Sequence, residues 1–332
     1  MFRHKKYLHR FCIYYLPQYL IDCKRNFWFI GLTRAAQSCA LNRLVRASSK
    51  VEIDPEAAEK LMISRADFLH ALEHDVKPAF GAADDVLASY LTRGITVWGE
   101  PVQDVLDDGN LLIQQANSND GPGLVSILLE GAPNSGKTAL AAKLASESGF
   151  PFVKICSPED MVGFTESAKC LKIAKIFDDA YRSMKSCLLV DSVERLLDYG
   201  PIGPRYSNLT LQALLVLLKK NPPKGRRLLV ICTTSRKEVL EQMEMLTTFT
   251  DVLHCSNLSR PEHFQRILME NDAFTKQEVA GLVAKLQHYH VSIGVKKLLG
   301  LLDMIKQMGP QNRPMKFLNK LEDEGFAVPI PH

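Results

Sequence analysis

From Ile95 onward the chain alternates short, wholly apolar runs rich in β-branched residues with longer stretches of helical periodicity. The runs at 124–129, 152–155, 187–190, 228–232 and 252–255 read as strands, and the stretches at 138–147, 168–183 and 209–220 read as helices between them. Strands with no polar face must be covered on both sides, so the pattern predicts a five-stranded parallel sheet flanked by helices, the α/β class. After Ser259 the strand signals cease, and three or four amphipathic helices, one of them at 293–307, predict a small all-helical C-terminal unit over 259–332. Residues 32–83 also read as helical. Asp54 before Pro55, and Ser64 with Asp67 three residues on, are N-terminal cap signals, and Leu61, Phe68, Leu69 and Leu72 fit one helical face. The Lys77-Pro78-Ala79-Phe80-Gly81 stretch stops that segment, which leaves 84–258 for the α/β domain.

Charge changes the picture only at the N-terminus. The chain of 332 residues carries 41 Lys and Arg against 37 Asp and Glu, but residues 1–31 hold six of the basic residues and only one acid, Asp22. The remaining 301 residues therefore carry 35 minus 36, or −1, and offer no broad basic face for nucleic acid. The basic, aromatic extension 1–31 reads as a mitochondrial presequence, a membrane-surface helix or an atypical start; its lack of Ser argues against the first. Nowhere is an uncharged apolar run long enough to cross a bilayer, so no integral membrane segment is expected. The eight cysteines form no CxxC pair and have no His at zinc spacing, which reads as buried reduced thiols of a cytosolic protein.

The chemistry concentrates at Gly131-Ala132-Pro133-Asn134-Ser135-Gly136-Lys137-Thr138, which follows a strand and opens a helix. This is GxxxxGK[ST] in its required context: backbone N–H groups, with those of Ala139 and the helix start, curl around phosphates, Lys137 reaches the β- and γ-phosphates, and Thr138 ligates Mg²⁺. ATP and Mg²⁺ are the expected cofactors. A P-loop needs a second acid on a neighbouring strand, and Asp191, ending the apolar run 187–190, is the expected magnesium residue. Many P-loop ATPases place a general base next to it, where this chain has Ser192. Glu194 is either a replacement base or a surface acid at a helix start.

The stretches GLVSILLEGAPNSGKTALAAKLASESGFPFVKICSPEDMVGF and KIFDDAYRSMKSCLLVDSVERLLDYGPIGPRYSNLTLQALLVLLKK resemble the second ATPase module of the N-ethylmaleimide-sensitive fusion protein family, vesicle-fusing ATPases of the AAA+ class. The resemblance covers residues 32–332, with 32–83 similar to the tail of a preceding helical lid. The family's adaptor-binding domain and complete first module are not in the sequence, which therefore reads as truncated at its N-terminus. The resemblance implies an AAA+ nucleotide-binding domain with a C-terminal helical lid, and a homo-hexamer that works with a SNAP adaptor on SNARE complexes. It further implies a cytoplasmic protein associated peripherally with vesicle and Golgi membranes through those partners. By the same resemblance Ile95, Trp98 and Gly99 hold adenine, and Ser235 occupies the sensor position near the γ-phosphate, often Asn in active modules. Lys296 is then the lid's basic sensor. Met161-Val162-Gly163-Phe164 resembles a pore loop, with Phe164 either gripping substrate or packing in the core. The usual paired arginines are not evident, and Lys219, Lys220, Lys224, Arg226 and Arg227 are the candidates for contacts in trans.

Two functional classes follow: a motor that remodels proteins, and an assembly module that binds Mg-ATP, hydrolyses it slowly and holds a hexamer together. Ser192, Ser235 and the missing arginine pair favour the second. A small-molecule P-loop kinase would want an Arg-rich lid and an acceptor pocket, and neither is evident.

Overall fold

A computed structural model describes residues 33–40, 63–71, 84–118, 120–200 and 205–330. They fall into two compact units, Met1–Ala82 and Ala83–His332. In the first, residues 33–40 are helical and α1 (Arg65–His70) opens with the expected cap. The Asp67 N–H donates to the Ser64 hydroxyl, and the Asp67 carboxylate accepts the Ser64 N–H at 2.7 Å. Phe68 and Ala71 are buried with Ala36. Leu69, expected on the same face, is 42% exposed, because a single step of about 100° around the helix carries it off the stripe that Phe68 occupies. The Asp54 cap, Leu61, Leu72, the stop at 77–81 and the extension 1–31 lie outside the described residues.

The second unit begins with α2 (Asp84–Tyr90) and α3 (Glu100–Asn117), after which strands and helices alternate. The order is β1 (Leu124–Glu130), α4 (Lys137–Glu147), β2 (Phe152–Cys156), α5 (Glu166–Ala180), β3 (Lys185–Val190), α6 (Val193–Leu196), α7 (Asn208–Lys219), β4 (Arg227–Thr234), α8 (Lys237–Gln242) and β5 (Asp251–His254). The strands form one sheet in the order β2-β3-β4-β1-β5, every pair parallel. Alternate residues of each strand enter two separate apolar clusters. Ile127, Leu129, Leu189, Leu229 and Ile231 lie in one with residues of α3 and α4. Leu128, Leu188, Val190, Val230 and Cys232 lie in the other with Ile173 and Phe177 of α5 and Leu214 and Leu218 of α7. Burial on both faces is the reason these strands carry no polar alternation. Their carboxyl ends are polar and level, with Glu130 in register with Thr234 on one side and His254 on the other.

Four helices follow: α9 (Pro261–Glu270), α10 (Lys276–Leu286), α11 (Val295–Lys306) and α12 (Arg313–Asp323). Their apolar faces, including Phe264, Leu298 and Phe317, join the first cluster. The expectation of a strand-free C-terminal unit needs one correction. Short strands β6 (Tyr289–Val291) and β7 (Ala327–Pro329) pair antiparallel, and segments of three residues are too brief to leave a periodic signal. Among the described residues no helix is long and apolar enough to cross a membrane.

Candidate active site

The loop between β1 and α4 bends by a few specific backbone geometries. Gly131 and Gly136 have φ of 152° and 94°, and a side chain on Gly131 would meet the Cys255 carbonyl at 2.3 Å. Asn134, also at positive φ, lies exposed with Ala132 and Pro133. Lys137 is buried, and its ammonium donates to the Ala132 carbonyl at 2.7 Å and the Ser135 hydroxyl at 3.3 Å. Burial pushes its pKa down, against the pull of nearby carboxylates including Glu194, Asp191 and Glu130. α4 starts at Gly136 with no side-chain cap, so its first N–H groups point into the same concavity. A buried cation beside an uncapped helix start fits a polyphosphate.

Asp191 leaves β3 into a ring of hydroxyls. Its Oδ1 accepts from Thr138 at 2.7 Å and Thr233 at 2.9 Å, and its Oδ2 accepts from Ser192 at 3.0 Å. Thr138 and Asp191 thus stand together as hard oxygen donors of the kind magnesium takes. Ser192 has φ of 50°, and its N–H donates to the Thr233 hydroxyl at 2.8 Å. Glu194 corrects the reading of a surface acid: it is buried, one carboxylate oxygen accepting the Thr234 hydroxyl at 2.9 Å and the other the Ser235 N–H at 3.2 Å. Ser235 therefore starts from the polar edge of β4, one residue beyond Thr234, with its backbone fixed by Glu194. Its side chain is half-buried.

The helical unit touches the loop directly. The Lys296 N–H donates to the Asn134 carbonyl at 3.0 Å, and a side chain on Gly294 would fall 2.5 Å from that same oxygen. The Lys296 side chain is exposed, whereas its neighbour Lys297 pairs with Glu324 at 2.6 Å. Of the predicted base-binding residues, Trp98 is buried in the first apolar cluster, Ile95 packs against it, and Gly99 opens α3.

Two of the five basic candidates hydrogen-bond to the backbone: the Arg226 guanidinium donates to the Tyr181 carbonyl, and that of Arg227 to the Ala116 carbonyl at 3.3 Å. Lys220 lies over the Tyr181 ring at 5.0 Å. Met161 is buried, while Val162 is 82% and Phe164 44% exposed, so Phe164 is not a core residue. Cys156, Cys187, Cys232 and Cys255 are buried, and burial pushes their thiols up; Cys39 and Cys170 are only half-buried.

Sequence reasoning missed Glu130, which accepts from Lys237 at 3.1 Å and lies 2.8 Å from His254 Nδ1. Burial pulls its carboxyl up, but the bonds to His254 and Lys237 outweigh that and hold it below the usual range. Thr233 was also missed, as was Tyr90, whose phenol is pushed up by burial and by the nearby Asp191 carboxylate. A polar residue ending an apolar run was the available signal for Glu130 and Thr233.

Residues 127–255 match the family model described as "ATPase family associated with various cellular activities (AAA)". Residues 257–324 match the one described as "NSF, AAA+ ATPase lid domain". The chain is 45% identical over 304 residues to a vesicle-fusing ATPase of Caenorhabditis elegans, covering 90% of this chain and 36% of the relative. It is 39% identical over 279 residues to a vesicle-fusing ATPase of Dictyostelium discoideum, covering 83% of this chain and 37% of the relative. Against the vesicular-fusion protein SEC18 of Saccharomyces cerevisiae it is 38% identical over 272 residues, covering 81% and 36%. The chain thus spans about a third of the length of these curated relatives, as the 36% and 37% coverages state. The parallel sheet and the helices packed against it agree with both family matches, and residues 127–324 form an NSF-type AAA+ module.

Proposed function

We propose that this chain binds Mg-ATP at the P-loop, hydrolyses it slowly, and uses the bound nucleotide chiefly to hold a homo-hexamer of a vesicle-fusing ATPase together. The whole protein would then act in the cytoplasm, peripherally on vesicle and Golgi membranes, separating SNARE complexes with a SNAP adaptor. In this reading residues 84–258 bind nucleotide and 259–332 are the lid. Lys137 supplies positive charge to the β- and γ-phosphates, and the N–H groups of residues 131–139 cradle them. Thr138 and Asp191 would hold magnesium, which offsets phosphate charge. Ser235 and Lys296 supply further donors from the strand end and the lid.

One observation carries the slow-turnover part. Both carboxylates that follow β3 are engaged: Asp191 accepts three hydroxyls, and Glu194 accepts the Thr234 hydroxyl and the Ser235 N–H. Ser192 donates its hydroxyl hydrogen bond to Asp191 and cannot deprotonate water near pH 7 unaided. The exposure of Val162 and Phe164 favours a second reading, a fully active protein-remodelling motor, in which that loop grips substrate.

Light scattering with and without ATP, on wild type and Lys137→Ala, tests the proposal. Wild type gains mass with ATP, and the variant neither binds a fluorescent ATP analogue nor assembles. Unchanged affinity in the variant overturns the P-loop assignment. A wild type that binds ATP yet keeps one mass overturns the assembly role.

A further inference from the structure

Within the first unit a thiol and an imidazole stand face to face. Cys39 belongs to the helical stretch 33–40 and His70 to the last turn of α1, and Cys39 Sγ lies 3.5 Å from His70 Nδ1, within hydrogen-bond distance for sulfur. The two residues are 31 apart in the chain, so packing of one helix on the other makes the contact. Ala36, Phe68 and Ala71 form the small core between those helices, and Cys39 packs at its edge. Cys39 is half-buried and His70 exposed, which puts the pair at the surface. In the tautomer with its proton on Nε2, Nδ1 accepts the thiol hydrogen, and proton transfer along that bond gives a thiolate and an imidazolium that stabilise each other.

The other described thiols stand in different surroundings. Burial pushes those of Cys156, Cys187 and Cys255 up to about 12, and that of Cys232 up as well, so they remain protonated and covered. Cys170 is half-buried like Cys39, but its thiol donates to the Thr210 hydroxyl at 3.7 Å, a group that does not take up a proton near pH 7. Cys12 and Cys23 lie outside the described residues. Since the thiolate is the nucleophile in disulfide exchange, access and a neighbouring base together single out Cys39 among the described cysteines.

We propose that Cys39, activated by His70, is a redox modification site that takes a small disulfide of the glutathione class as a mixed disulfide. The Cys39 sulfur, its proton passed to His70, attacks one sulfur of the reagent. The reagent's S–S bond breaks, a new S–S bond forms to Cys39, and the departing thiolate takes the proton from His70. Cys39 is oxidised and one half of the reagent is reduced, with no further reactant. The adduct sets a charged tripeptide at a seam whose core is three small or half-turned side chains, Ala36, Phe68 and Ala71, and so loosens α1 from residues 33–40. Excess thiol reverses the step. No residue of the P-loop takes part, so the inference stands apart from the nucleotide reading.

Oxidised glutathione added to the full chain at pH 7, with the adduct at each cysteine followed by peptide mass spectrometry, tests this. Cys39 should react at least about threefold faster than Cys170, because the gain in thiolate is partly offset by the lower nucleophilicity of a more acidic thiol. His70→Ala should slow Cys39 by about threefold and leave Cys170 unchanged. The sign separates activation from structure, since a variant that merely loosened the helix pair would uncover Cys39 and speed its reaction. In the wild-type adduct, amide hydrogen exchange across 64–71 should quicken, and Cys39→Ser treated with the same reagent should show no such change. Cys39 reacting no faster than Cys170 overturns the site. Equal or faster reaction of Cys39 in His70→Ala overturns the role of His70, and unchanged exchange across 64–71 overturns the loosening.

Discussion

Replacing Glu194 by Gln separates two roles that a carboxylate near a P-loop could have. As a strut, Glu194 receives the Thr234 hydroxyl and the Ser235 N–H, and Thr234 Oγ1 in turn accepts the Arg236 N–H at 3.1 Å. A glutamine can turn its oxygen to the Ser235 N–H and its amide group to the Thr234 hydroxyl, so the strand end stays in place. What is lost is charge assistance in two bonds, a cost of about 1–2 kcal/mol. For a unit of this size that lowers the melting temperature by roughly 2 to 8 °C. Turnover should stay within about threefold of wild type, because Ser235 keeps its position, whereas loss of a general base costs about 10²- to 10⁴-fold. Phosphate release at saturating ATP, with a melting curve and an ATP titration on the same samples, reads all three quantities. A hundredfold fall in turnover with melting and affinity intact would mean that Glu194 takes the proton, and the slow-hydrolysis reading would be wrong.

Two further expectations concern the same strand ends. Ser192→Glu supplies a carboxylate beside Asp191 and should raise turnover, toward the lower end of the ~10²- to 10⁴-fold of a positioned base, with ATP affinity little changed; steady-state phosphate release showing no rise would place water activation elsewhere. The depressed carboxyl of Glu130, ordinarily 4.5, stabilises the fold above that pH, and the contribution disappears as pH falls through the lower folded value. Wild type should therefore lose melting temperature more steeply than Glu130→Gln between about pH 5 and 3, and parallel slopes would show that the His254 and Lys237 bonds carry no net stability.

The P-loop was legible because its eight residues are contiguous, and the sheet because burial on both faces leaves unbroken apolar runs. Strand ends were not. Glu130, Thr233 and Thr234 continue their strands, yet their polarity ends an apolar run before the backbone pairing stops. Helix starts moved for a similar reason: Thr165 and Ser207 are caps, so α5 and α7 begin earlier than their apolar faces suggest. The hydroxyl ring on Asp191, the Glu194 strut and the His263–Trp98 contact join residues far apart in the chain. They exist only once β3 and β4 are in register or α9 is docked, and no local spacing encodes them.

Gly294 has φ of −72° and ψ of 142°, a conformation open to any residue, so its side chain is absent for reasons of distance alone. With the Asn134 carbonyl against its Cα and the Lys296 N–H on that same oxygen, α11 meets the phosphate loop with almost no slack. The 12 residues of α11 make a lever about 18 Å long. A shift of about 1 Å in the loop, taken up at the lever's near end with the far end held, tilts it by about 3°. The orientation of the lid is thereby geared to the conformation of residues 133 and 134.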